Sequence, residues 1–165
     1  MSDIYFVGDL HFGHNNIHKF RSELGLSSEE GHREFIIDRW NSVVKKRDVV
    51  WMLGDIVFKH ELIPELDRLK GQKFMVLGNH DLDGQHYRHH VNKVGGLVKY
   101  KGFWLSHAPI HPEELRGKMN IHGHVHGNTL EDPRYFNASL ENIGYRPVSI
   151  EEVRVKAKLV GMNSV

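Results

Sequence analysis

No cysteine occurs in this 165-residue chain. Disulfides are therefore excluded, and so is any metal site built on thiolate. Net charge is scarce as well. The chain has 22 lysines and arginines against 21 aspartates and glutamates, a formal +1, so no strong field draws in a long polyanion or an anionic membrane. No stretch approaches the ~20 consecutive apolar residues of a spanning helix, and the N-terminus lacks the basic start and apolar run of a signal segment. The expectation is a cytoplasmic protein with no membrane partner. There is no internal repeat, low-complexity tract or linker. The remaining composition, 39% apolar and 26% charged, is that of one globular domain over residues 1–165 that buries its own core.

Histidine is abundant, at 14 residues, and neutral imidazole is the commonest metal ligand in proteins. Five polar clusters stand at the ends of apolar runs: Gly8-Asp9-Leu10-His11, Gly54-Asp55, Gly78-Asn79-His80-Asp81, Ser106-His107 and Gly123-His124-Val125-His126. Their carboxylates, amide and imidazoles suit a pair of mid-row divalent cations such as Mn, Fe or Zn. Asp55 stands alone in the middle of the set and is the natural carboxylate to bridge two ions. The glycines at 8, 54, 78 and 123 are expected to let the chain turn sharply and bring ligands together. The two-residue steps Asp9/His11 and His124/His126 point both side chains one way if the backbone there is extended.

The apolar pattern predicts strands over 4–7, 48–53 and 74–77. A helix opens at Ser28-Glu29-Glu30, with Phe35, Ile36, Trp40, Val43 and Val44 on one face. A second runs from about Ile63 to Leu69, with Pro64 in its first turn and Gly71 as its stop. This alternation is that of βαβ units in a largely parallel sheet. Lys101-Gly102 reads as a hairpin turn between strands over 97–100 and 103–106. Short strands follow over 119–122 and 134–137. Ser149 and Glu152 have capping-box spacing for a last helix. Each cluster thus follows a strand, and in open α/β sheets ligands collect outside the carboxyl ends of strands.

The order Asp-x-His, Gly-Asp, Gly-Asn-His-Asp, His, Gly-His-x-His over residues 9 to 126 resembles the calcineurin-like metallophosphoesterases, and within them the small bacterial and phage members. The resemblance implies an α/β fold, a four-layer α-β-β-α sandwich of two mixed sheets flanked by helices. It implies Asp9, His11, Asp55 and His126 around one divalent ion, and Asp55, Asn79, His107 and His124 around a second. Manganese is the expected metal, with Fe, Zn, Ni or Co as alternatives. The implied reaction is phosphoester hydrolysis by a hydroxide bridging the metals, with Asp55 shared between them and His80 protonating the departing oxygen. Asn79, His80 and His14 are the implied substrate contacts.

Phe58 occupies the place where many relatives carry the residue that orients the catalytic histidine; Asp81 and His14 are the candidates to replace it. The arginine of the protein serine/threonine phosphatases is missing, and no capping insertion separates the motifs. Both point to small nucleotide-like phosphodiesters rather than phosphoproteins. Nucleic acid is the less favoured substrate, because a polynucleotide binder gains from net positive charge. A scaffold that kept the fold and lost catalysis is the reading from another class, supported by Phe58 alone. His60, His86, His89, His90 and His111 have no motif behind them, and the run 86–90 reads as a solvated helix face.

Overall fold

The computed structural model describes residues 2–159 and 161. Strands β1 (Ile4–Val7), β2 (Val49–Leu53), β3 (Gln72–Val76) and β4 (Lys93–Gly95) form a parallel array. It is closed by antiparallel β9 (Val148–Ser149), giving the order β4-β3-β2-β1-β9. A second sheet has the order β5-β6-β7-β8, from β5 (Val98–Tyr100), β6 (Phe103–Leu105), β7 (Met119–His122) and β8 (Tyr135–Asn137). β5 and β6 pair antiparallel, whereas β6, β7 and β8 are parallel. Two mixed sheets with flanking helices make the expected α/β sandwich. Phe6 of β1 meets Phe103 of β6 edge-on at 6.2 Å, and Trp51 of β2 lies 5.2 Å from Tyr100 of β5, so the core sits between the sheets.

The helices form where local chemistry allows. Helix α1 (Ile17–Phe20) is a single turn. Helix α2 (Glu29–Val43) is capped by Ser28, whose side chain accepts from Gly31 N–H, and carries Glu29 and Glu30 in its first turn. Negative charge there complements the helix dipole. Its buried face is His32, Ile36, Ile37 and Trp40, with the Trp40 indole donating to Lys70 O. In helix α3 (Ile150–Leu159) the capping box is complete: Ser149 N–H donates to Glu152 Oε2, and Glu152 N–H to Ser149 Oγ. Lys101 (φ 49°) and Gly102 (φ 90°) turn the β5–β6 hairpin with two positive φ angles, as a two-residue loop requires.

Two local expectations need correction, and one strand was not foreseen. The segment from Ile63 to Leu69 is not an α-helix: His60–Arg68 forms 3₁₀ turns with Pro64 inside them. With the turns starting at His60, Pro64 lacks the N–H that a regular helix would use there. The edge strand β4 has no counterpart in the apolar pattern. In the 86–90 run, Tyr87 is fully buried, and its hydroxyl donates to Val57 O.

Candidate metal centre

The loops after β1, β2 and β3 leave one edge of the first sheet and are laced together. Asp9 N–H donates to Gly54 O (3.0 Å), His11 N–H to Asp55 O (3.0 Å) and Phe12 N–H to Ile56 O (2.9 Å). Asp81 clamps the third loop to the second: its carboxylate accepts from the N–H groups of Asp55 (2.8 Å), Ile56 (2.7 Å) and Gly78 (2.8 Å). In the other sheet, Gly123 N–H donates to His107 O (2.8 Å), tying the loops after β6 and β7.

All seven expected ligand residues meet here. Asp9, His11 and His126 form one group and Asp55, His107 and His124 another, each offering ligand atoms within 4.8 Å of one another. Asp55 stands between them, with Oδ2 3.9 Å from His11 Nε2 and Oδ1 3.4 Å from His107 Nε2. Asn79 Oδ1 and His124 Nδ1 lie 2.9 and 3.0 Å from His107 Nε2. The arrangement fits divalent cations on two observations. His11 Nε2 is buried with no hydrogen-bond partner, a costly state for a ring nitrogen that a cation would relieve. His107 Nδ1 is 2.9 Å from Leu53 O, a carbonyl that can only accept, so Nδ1 carries a hydrogen; Nε2, turned toward the acceptor oxygens of Asp55 and Asn79, is the nitrogen left to take a cation or, without one, a second proton.

The side chains converge by a route other than strand alternation. Asp9 (φ 59°), His11 (57°), Asp55 (53°), His124 (73°) and His126 (50°) all adopt left-handed backbone. Aspartate and histidine tolerate this region better than most residues, yet such strain costs roughly 1–3 kcal/mol per residue and persists only where the surroundings impose it. The expectation of extended two-residue steps is thereby overturned: each pair is aimed inward by kinks at alternate residues. Gly54 also turns with positive φ (84°). Gly78 and Gly123 serve instead by lacking a side chain. A Cβ on Gly123 would lie 2.5 Å from Asp9 Oδ2, and one on Gly78 would strike Asp55 Oδ1.

Burial pushes the Asp55 carboxyl up, but hydrogen bonds from His107 and the His80 N–H outweigh it and hold the group below its ordinary value. Burial pushes His107 down, and its contacts with Asp55 and Leu53 O reverse the sign. For His11 burial wins over Asp9, leaving the imidazole lowered and neutral, as a ligand must be.

His80 is exposed at the rim. Its N–H donates to Asp55 Oδ1 (3.0 Å), and its ring stacks on Phe58 at 5.1 Å with an interplanar angle of 23°. Phe58, which cannot hydrogen-bond His80, therefore supports it by packing. Asp81 is not the substitute partner, because its carboxylate is committed to the loop N–H groups. His14 packs against Phe58 (5.3 Å) and His11 (5.8 Å), and among the described residues it makes no hydrogen bond to His80.

Comparison with known proteins agrees with this geometry. The family model described as calcineurin-like phosphoesterase matches residues 2–154. The chain belongs to that family. An uncharacterized protein of Methanocaldococcus jannaschii is 32% identical, over 92% of this chain and 89% of its own length. The gene 66 protein of Mycobacterium phage D29 is 29% identical, over 93% and 95%. A protein of unknown function from Aquifex aeolicus, whose crystal structure is known, superposes with a TM-score of 0.74 at 27% identity, over 94% of this chain and 99% of that one.

This calcineurin-like family member also has parts that no motif announced. Arg21 is 1% exposed; its Nε donates to Glu141 Oε1 (2.9 Å), its Nη2 to the Asp9 carbonyl (2.7 Å), and its Nη1 lies 2.9 Å from His32 Nε2. Glu141 Oε1 is in turn 3.1 Å from His126 Nδ1. One buried guanidinium thus braces two residues of the same candidate group, Asp9 directly and His126 through Glu141. Beside that group, a cavity of about 510 Å³ opens between His11, His14, Ile17, Phe20, His126 and Glu141. These residues lie in segments without periodic pattern, and only the fold brings positions 21 and 141 together. Among the described residues no helix is long and apolar enough to cross a membrane.

Proposed function

We propose that the chain is a metal-dependent phosphodiesterase acting on small, nucleotide-like esters. The observation that carries this reading is Asp55 standing between two histidine and aspartate groups, a carboxylate placed for sharing. Asp9, His11, Asp55 and His126 would hold one cation, and Asp55, Asn79, His107 and His124 the other. The donor set of imidazole, carboxylate and amide without thiolate suits mid-row divalent metals, manganese being the one expected here and Fe, Zn, Ni or Co the alternatives. When bound, a cation pair supplies charge neutralisation at the phosphoryl oxygens and a more acidic water.

The chain's own residues do the rest. Leu53 O and Glu141 fix the tautomers of His107 and His126. The strained loops hold the donors in place before substrate arrives, so little reorganisation remains for the reaction itself. His80, at the rim and held flat against Phe58, donates a proton from its imidazolium to the departing ester oxygen as the bond to phosphorus breaks. The proton lost by the attacking water returns the imidazole to its starting state. No lysine or arginine lines the neighbouring cavity, and Arg21 is buried and engaged. The extra negative charge of a monoester therefore finds no free cation among these side chains, which favours diesters.

The test is hydrolysis of bis(4-nitrophenyl) phosphate and 4-nitrophenyl phosphate by the manganese-loaded protein, with and without chelator. The expected result is chelator-sensitive release of nitrophenol with the higher kcat/KM on the diester. A higher value on the monoester contradicts the choice of diester, and no metal-dependent release from either contradicts the function.

A further inference from the structure

We infer that the cavity beside His11 and His126 is a subsite for one flat, uncharged group of the ester, an aryl ring or a nucleobase, stacked on Phe20 and His14; this rests on the phosphodiesterase reading above. The walls set the chemistry. Ile17 is buried beneath the cavity, Phe20 and His14 offer ring faces, and no lysine or arginine lines it. Its one carboxylate, Glu141, is already held by Arg21 and His126. Such a lining offers no cation to a second phosphate and offers apolar surface to a planar group.

Phe20 itself is the second observation. It is 73% exposed, whereas every other phenylalanine, tyrosine and tryptophan of the chain is buried or half-buried. It closes α1, whose Ile17 is 2% exposed and anchors the turn. The anchor side of this one-turn helix is therefore satisfied, and the ring is held out at the cavity mouth.

The third observation is continuity. Phe20 lies 5.5 Å from the His14 ring, His14 5.3 Å from Phe58, and Phe58 5.1 Å from His80. A row of four rings runs from the cavity mouth to the residue proposed as acid, passing His11, 4.8 Å from Phe58. An ester whose phosphorus is held at the ligand groups can lay a planar substituent along this row. Offset or edge-on stacking against such rings favours aromatic over small alkyl groups.

The experiment compares two non-hydrolysable probes with the single negative charge of a diester, methyl(phenyl)phosphinate and dimethylphosphinate, binding to the manganese-loaded protein by calorimetry. Methyl(phenyl)phosphinate is expected to bind about tenfold tighter, a difference of about 1.4 kcal/mol. In Phe20→Ala the ratio collapses to near one, and in Phe20→Trp it is restored. Because Phe20 is so exposed, the melting temperature of the metal-free variant stays that of the parent. Equal affinities in the parent, or a tenfold ratio that survives Phe20→Ala, overturns the subsite and leaves the phosphodiesterase reading intact. If the protein takes up manganese yet binds neither phosphinate, the phosphoester reading itself fails and the subsite falls with it.

Discussion

His126 Nδ1 lies 3.1 Å from Glu141 Oε1, the same oxygen that accepts from Arg21 Nε at 2.9 Å. Burial would raise the Glu141 pKa, but His126 and Arg21 bring it down to about 2, so the carboxylate is ionised and Nδ1 supplies the hydrogen. That leaves His126 Nε2 as the free lone pair. Carboxylate partners of this kind typically contribute 10–100-fold to metal affinity. Glu141→Ala is expected to weaken one of two manganese sites by roughly that factor and to spare the other, read as two-site calorimetry. Equal weakening of both sites contradicts the assignment of His126 to one group.

His80 touches none of the proposed ligands through its ring, so its loss separates proton transfer from metal binding. His80→Ala should lower kcat on an aryl diester by about 10²–10⁴-fold with manganese stoichiometry unchanged. Phe58→Ala, which removes the stacking face, should lower kcat by less. An unaltered rate in His80→Ala removes the imidazole from the mechanism.

Gly123→Ala places a methyl group 2.5 Å from Asp9 Oδ2. The expected cost is about 1–3 kcal/mol of overpacking, seen in denaturant unfolding of the metal-free protein, together with weakened manganese binding at the Asp9 group. Full metal affinity in a stably folded Gly123→Ala protein contradicts the geometry of that group.

Acid sensitivity has a specific source in His32. Burial, reinforced by the Arg21 guanidinium, lowers its pKa from 6.5 to about 3. In that interval the unfolded chain binds a proton that the folded chain refuses. Stability is therefore full above about pH 6.5 and falls as the pH drops toward 3, by at most about 1.4 kcal/mol per pH unit from this group. Glu141 adds a loss of the same sign only below its ordinary value of 4.5. His32→Gln should flatten the pH dependence of the urea midpoint between pH 6.5 and 4.5; an unchanged slope contradicts the assignment.

Strong local signals made much of the fold legible. The run Ile4-Tyr5-Phe6-Val7 ended by glycine, Ser28 before two glutamates, and Ser149 three residues before Glu152 each specify a structure through neighbours in the chain. The 3₁₀ turns at 60–68 escaped because the choice between two helical connectivities depends on where the turn begins relative to Pro64. β4 escaped because its residues gain strand character only from pairing with β3. At the centre, ordered motifs brought into view the residues that the fold gathers into two candidate metal groups, since metal chemistry restricts the residue types that serve it. How they are aimed was not legible: the left-handed φ angles at Asp9, His11, Asp55, His124 and His126 arise from loops laced across two sheets. Arg21, Glu141 and Phe20 were silent for the same reason, as their roles exist only through contacts distant in sequence.

The most direct measurement is anomalous diffraction at the manganese edge from crystals of the metal-loaded protein. The account predicts two peaks per chain, one beside Asp9, His11 and His126 and one beside Asn79, His107 and His124, with a carboxylate oxygen of Asp55 in contact with each. A single peak, peaks remote from Asp55, or none at all contradicts it.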